Sequence, residues 1–176
     1  MAQYVGPNIK HTGGTYHTYT SGSVECGVWT FISPSGSFTT KTPITCDILI
    51  VGGGAGGGNG NHSVSATADG GGGGGAGAYI FQTDQTLSTG THSVIIGSGG
   101  AGNSTVNLVG NPGGDTYFNS VTANGGGPGN RPNVAGVANG NASGGGAGGG
   151  GSVVSGGAGG TYGNDGGDSP QTAPRY

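Results

Sequence analysis

Ile48-Leu49-Ile50-Val51-Gly52-Gly53-Gly54-Ala55-Gly56-Gly57 is the stretch on which the fold turns. An apolar run that reads as a buried strand gives way within one residue to glycine. Upstream, residues 1–51 hold 6 glycines, and downstream, residues 52–176 hold the other 42 of the 48. Such a stretch either opens a dinucleotide site or opens a fold built from glycine. Gly52, Gly54 and Gly57 satisfy G-x-G-x-x-G after a strand, the pattern that places a pyrophosphate at a helix N-terminus. That chemistry needs a helix next, and the chain continues Gly58-Asn59-Gly60-Asn61-His62-Ser63, a turn sequence. Asp69, the nearest match to the acidic residue expected about 20 positions on, stands beside six glycines. A dinucleotide-binding enzyme is therefore the minor reading.

Helix formers are scarce throughout. Leucine occurs three times (Leu49, Leu87, Leu108), and Glu25 is the only glutamate. Each glycine inside a helix costs about 1 kcal/mol relative to alanine, so the chain is expected to be all-β with essentially no α-helix. Residues 1–51 read as short strands of a β-sandwich, with Thr45–Val51 buried on both faces. Islands at 78–83, 91–96 and 115–123, with a weaker one at 106–109, follow, and residues 78–123 are expected to complete the sandwich in part. Residues 52–168 form the glycine-rich region and residues 169–176 an extended tail.

The glycine runs at 52–58, 70–77, 125–129, 144–151 and 156–160 are nearly serine-free and lie between short polar loops. A left-handed extended helix with three residues per turn has no internal hydrogen bonds. Its backbone groups point outward, and glycine lets neighbouring helices approach closely enough to pair laterally. We therefore expect an ordered bundle of polyglycine-II helices. Its asparagine-rich loops would gather at the bundle ends.

Charged residues make up 6% of the chain, with four Lys/Arg and a net charge of −3. Four cations make no basic stripe, so nucleic-acid binding is not expected. There is also no long apolar run for membrane insertion. Met1-Ala2-Gln3-Tyr4-Val5 has neither a charged n-region nor an apolar h-region, so no signal peptide is expected. His11, His17, His62 and His92 lie in separate segments, the aspartates show no paired arrangement, and no nucleophile elbow occurs. No catalytic, cofactor-binding or metal residues are assigned. Gly159–Asp168 approaches a calcium repeat but carries one residue too many and is not repeated. Cys26 and Cys46 read as two buried thiols or one disulfide between neighbouring strands. His62, Asn130, Arg131, Asn133 and Tyr162 are the loop residues suited to contact a sugar or polar surface group, because asparagine and arginine supply paired hydrogen-bond groups.

Ile48–Gly54, Gly73-Gly74-Gly75-Ala76-Gly77-Ala78-Tyr79-Ile80 and His92–Gly102 together resemble the glycine-rich domains of bacteriophage fibre and adhesin proteins. The resemblance covers about residues 40–160. It implies layered polyglycine helices whose end loops bind a host surface. A related arrangement, in anaplastic-lymphoma-kinase-like receptors, implies a sandwich of jelly-roll or tumour-necrosis-factor-like type. The expected role is thus a non-enzymatic virion protein, made in the host cytoplasm and carried on the virion surface. It would be a fibre, capsid decoration or adhesin that attaches to a host glycan or protein. The partners are further virion proteins and copies of itself, with a trimer favoured. An extracellular ice-binding or other glycine-rich binding protein is the alternative.

Overall fold

The computed structural model describes residues 8–33, 35–60, 70–148 and 153–169. It is essentially all-β, with nine strands: β1 (Ile9–Thr12), β2 (Thr15–Ser21), β3 (Val24–Thr30), β4 (Gly36–Thr40), β5 (Ile44–Val51), β6 (Tyr79–Leu87), β7 (Gly90–Ile95), β8 (Thr116–Phe118) and β9 (Val121–Ala123). They form one five-stranded sheet in the order β1-β4-β7-β8-β9 and two two-stranded sheets, β2-β3 and β5-β6. The chain divides into two units, one comprising Met1–Ile50, Ile80–Ile96 and Thr116–Thr122, the other Val51–Tyr79, Gly97–Asp115 and Ala123–Tyr176.

The first unit has a conventional apolar core. Cys26, Phe38, Ile44, Ile48, Ile50, Ile80, Leu87 and Val94 are buried. Trp29 of β3 meets Phe38 of β4 edge-on, with ring centroids 5.2 Å apart, and Tyr16 stacks on Trp29 at 4.6 Å. Such pairs add about 0.5–1.5 kcal/mol beyond area burial. In β4, pairing is antiparallel on both sides: Phe38 lies opposite His11 of β1 and His92 of β7. β5 differs from the sequence expectation, being buried on one face only. Ile44, Ile48 and Ile50 point inward while Leu49 is 54% exposed. The reason is that no described layer packs on the outer face of the β5-β6 sheet, where Val51, Tyr79 and Phe81 are exposed too. The island at 115–123 is a hairpin rather than one strand. Asn119 and Ser120 turn it with φ of 47° and 66°, the signs a two-residue type I′ turn requires. Residues 106–109 form no strand.

Among its described residues the second unit holds almost no regular strand, yet its backbone is densely paired. Along run 52–60 the partners recur every third residue. The N–H groups of Gly52, Ala55 and Gly58 donate to the carbonyls of Ala78, Gly75 and Gly72, each at 2.9 Å. Those of Gly53, Gly56 and Asn59 donate to Gly114, Asn111 and Leu108. Two further runs donate back: Gly100 and Asn103 to Gly54 and Gly57, and Gly126 and Gly129 to Gly53 and Gly56. Run 124–130 repeats the pattern, accepting from Gly72, Gly75 and Ala78 on one side and donating from Gly127 and Asn130 to Ser143 and Gly146 on another.

Glycine is required here by close approach. A β-carbon at Gly52 would collide with the Asn124 carbonyl, one at Gly126 with the Gly75 carbonyl, and one at Gly144 with the Gly157 carbonyl. Proline enters where its missing N–H is not needed. In run 108–114 the donors are Gly110, Asn111, Gly113 and Gly114, and Pro112 stands at the skipped position. Pro128 occupies the same position between Gly127 and Gly129.

Two substitutions separate these cases. Gly126→Ala should lower the unfolding free energy by about 2 kcal/mol or more, as overpacking against rigid backbone does. At Gly73 a β-carbon meets nothing within 4 Å and φ is not positive. Gly73→Ala should therefore raise stability by about 0.4–1 kcal/mol through the unfolded chain. Denaturant unfolding of both variants checks the pair; equal effects would contradict the packing described.

Candidate functional site

The dinucleotide-like glycines are not followed by a helix. Residues 52–60 run extended, and the N–H groups of Gly52, Gly53 and Gly56 donate to carbonyls of neighbouring runs. None of these three is left for a phosphate.

The asparagines of the loops divide into two kinds. Asn130 is 2% exposed. Its side-chain amide donates to the Ala135 carbonyl, its side-chain oxygen accepts from the Arg131 N–H at 3.1 Å, and its own carbonyl accepts from Gly72. Asn124 and Asn141 exchange a reciprocal pair, each side-chain oxygen accepting the other's backbone N–H at 2.9 and 3.0 Å. Asn139 donates its side-chain amide to the Gly125 carbonyl at 2.8 Å. These amides act as spare peptide groups that finish the backbone network where a run ends. Sequence reading saw polar loops and missed this role; the signal was that Asn124 and Asn130 flank a glycine run at both ends.

The remaining loop candidates stand apart from one another. Arg131 and Asn133 are exposed beyond the Asn130 end of run 124–130, and Asn133 holds φ at 58°. At that end the chain also presents Val106 and Leu108, 48% and 45% exposed, because Asn59 and Gly60 pair with Leu108 and Asn107. Asn103 shapes this loop, its side-chain oxygen accepting from the Thr105 N–H and its amide donating to the Val109 carbonyl. Tyr162 is at the opposite end: its N–H donates to Asn141, which is bonded to Asn124. The whole of run 124–130 separates the two ends. The five sequence-chosen residues are thus not one constellation. Arg131 and Asn133 share an end, Asn130 is built into the unit, Tyr162 faces away, and His62 lies outside the described residues.

Two aspartates do something the calcium-like spacing did not foretell. The Asp165 carboxylate accepts from the Gly159 N–H at 2.7 Å and the Asp168 carboxylate from the Gly156 N–H at 2.8 Å. Donors and acceptors are both three residues apart, so the carboxylates follow the backbone repeat and cap one side of run 155–160. Asp115 does the same for the Gly125 N–H at 2.9 Å. Among the described residues no group of three or more His, Cys, Asp or Glu could hold a metal ion. In the first unit both cysteines are free thiols, Cys26 buried and Cys46 half-buried. Burial, helped by the Asp47 carboxylate, pushes the Cys46 thiol up from its ordinary range; both effects disfavour the thiolate.

Replacing Asp165 and Asp168 together by alanine should lower the melting temperature by about 2–4 °C, the size of a 1 kcal/mol loss in a chain this long. The double asparagine variant keeps an acceptor and should lose less. Cys46 should alkylate more slowly at neutral pH than a free model thiol, with the rate still climbing above the ordinary thiol range. Asp47→Asn should bring that climb to lower pH, as iodoacetamide labelling followed by mass spectrometry would read.

The geometry agrees with the comparison to known families. A model described as a glycine-rich domain matches residues 32–174. No curated protein and no solved structure matches the chain. With the match spanning most of the sequence, the chain belongs to the glycine-rich domain family.

Proposed function

We propose that this protein is a non-enzymatic structural and display module, in which a bundle of polyglycine-II helices holds loops for contact with a partner surface. The observation that carries this reading is the three-residue recurrence of hydrogen-bond partners along run 52–60. A backbone whose donors return to the same neighbour every third residue matches a helix with three residues per turn. Packing at distances only glycine permits supports the same assignment. The first unit, with its edge-on Trp29–Phe38 contact between two sheets, is proposed to be a jelly-roll or tumour-necrosis-factor-like sandwich.

A scaffold held by its own main chain leaves the end loops free to vary in chemistry. This favours attachment as the role: a fibre, capsid decoration or adhesin on a virion surface, assembled with copies of itself, a trimer foremost, and with other virion proteins. Arg131, Asn133, Val106 and Leu108 at one end combine a cation, an amide and apolar surface, a set suited to a host glycan or protein. An ice-binding role would require a flat face of small residues, and the exposed asparagine loops count against it.

Two measurements test the proposal. Proteomics of purified particles should recover the protein in a virion fraction; its absence from every fraction would sink the virion reading. An Arg131→Ala variant should keep its melting temperature and lose at least tenfold in binding to host cells, whereas Tyr162→Ala should retain binding. Unchanged binding of the Arg131 variant would remove that end from consideration.

A further inference from the structure

Run 142–148 is the most completely surrounded in the second unit, and its one unfilled side is informative. Ser143 and Gly146 donate to Ala76 and Gly73 of run 70–78; Gly144 and Ala147 donate to Asn164 and Gly167; Gly145 and Gly148 donate to Val137 and Val134. Its carbonyls accept in the same rhythm, Ser143 and Gly146 from Gly127 and Asn130, Ala142 and Gly145 from Gly160 and Gly157. In a threefold helix each residue turns 120°, so donors and acceptors alternate around six directions. Five of the six are filled here. The sixth belongs to the carbonyls of Gly144 and Ala147, which accept no hydrogen bond among the described residues.

That direction opens into a groove of about 420 Å³, walled by Gly71–Ala76 and Asn164–Asp168 and floored by Ser143, Gly144, Gly146 and Ala147. The walls complement the floor. The N–H groups of Gly73, Ala76 and Gly167 line it and donate to nothing among the described residues. The Ser143 hydroxyl stops one end by accepting the Asn164 N–H at 3.1 Å. The rest offers two acceptors three residues apart and three donors, the pattern that a further threefold strand would satisfy.

We infer that this groove receives an extended glycine run from a second copy of the chain, supplied by residues 97–103. The inference rests on the polyglycine-II reading above. Within this run, the main chain of residues 98–103 is bonded to runs 52–60 and 108–114, and the exposed positions Ser98, Gly99, Ala101 and Gly102 carry nothing larger than a hydroxymethyl group. Alanine is accommodated in such contacts, as Ala55 is between Gly52 and Gly58. Neither the run nor the groove floor carries a charge to repel its copy. Because the donor run and the receiving groove are different surfaces, the contact is heterologous, and its repetition adds copies head to tail until a ring such as the proposed trimer closes. The recognition is main-chain pairing, the logic by which sheet edges capture strands.

Two variants of the full chain test this. Gly73→Pro removes one groove donor and fills its place with the ring, a substitution that the φ of a threefold helix accepts. Ala101→Arg leaves the groove intact and enlarges the incoming run. In sedimentation velocity the wild type should form species that grow with concentration, and each variant alone should stay monomeric. An equimolar mixture should give a one-to-one dimer and nothing larger, since one variant keeps the run and the other the groove. A monomeric wild type, or variants that associate like it, overturns the inference. So does a wild type that stays monomeric while its groove binds a synthetic peptide of residues 97–103, because the occupant is then not a second copy. Vibrational circular dichroism of each sample separates the two layers of the argument. Loss of the threefold-helix signature sinks the polyglycine reading itself, and its presence without association sinks the docking alone.

Discussion

Lateral hydrogen bonding between bare backbones is the constraint on which the second unit depends. A peptide group buried without a partner costs about 1–3 kcal/mol, and this unit buries many peptide groups with few apolar side chains to offset them. Pairing must therefore be nearly complete, and it is completed from several sources. Glycine runs supply most of it. Asparagine amides finish the ends of run 124–130, and the carboxylates of Asp115, Asp165 and Asp168 cap the N–H groups of Gly125, Gly159 and Gly156. Glycine is needed because carbonyls of adjacent runs occupy the space of a β-carbon. The entropic cost of ordering so much glycine is met by making every run satisfy several neighbours at once.

The first unit follows a different physics. Its strands bury alternate side chains, and its aromatic contacts run from Tyr16 through Trp29 and Phe38 to Phe118. The exposed side chains of β5 and β6, Leu49 and Phe81, mark where a two-stranded sheet lacks an outer layer. One chain thus contains a part held by side chains and a part held by main chain, and the composition shift at Gly52 is the seam in sequence between them.

Composition made the all-β class and the glycine-rich family legible at once, since 48 glycines leave no window for a helix. The entry at Val51–Gly52 was legible too, because an apolar strand cannot continue into such a run. What escaped sequence reading depended on partners distant in the chain. The outer face of β5 is bare because no described layer packs on it, which its own residues do not encode. The hairpin at Asn119-Ser120 was hidden because serine rarely takes positive φ. Asn130 looked like a loop tip, yet its amide is consumed inside the unit. Asp165 and Asp168 looked like a faulty metal loop, and their spacing matches the backbone repeat instead.

The position of run 52–60 carries a consequence for biosynthesis. It precedes in the chain all four of its neighbours, runs 70–78, 97–103, 108–114 and 124–130. Non-local pairings must meet their loop-closure cost before they are rewarded. This run therefore has its pairing complete only once the chain has been made to about residue 130. Assembly of this unit is thus set by the order of translation, and it closes late around the segment that was made first.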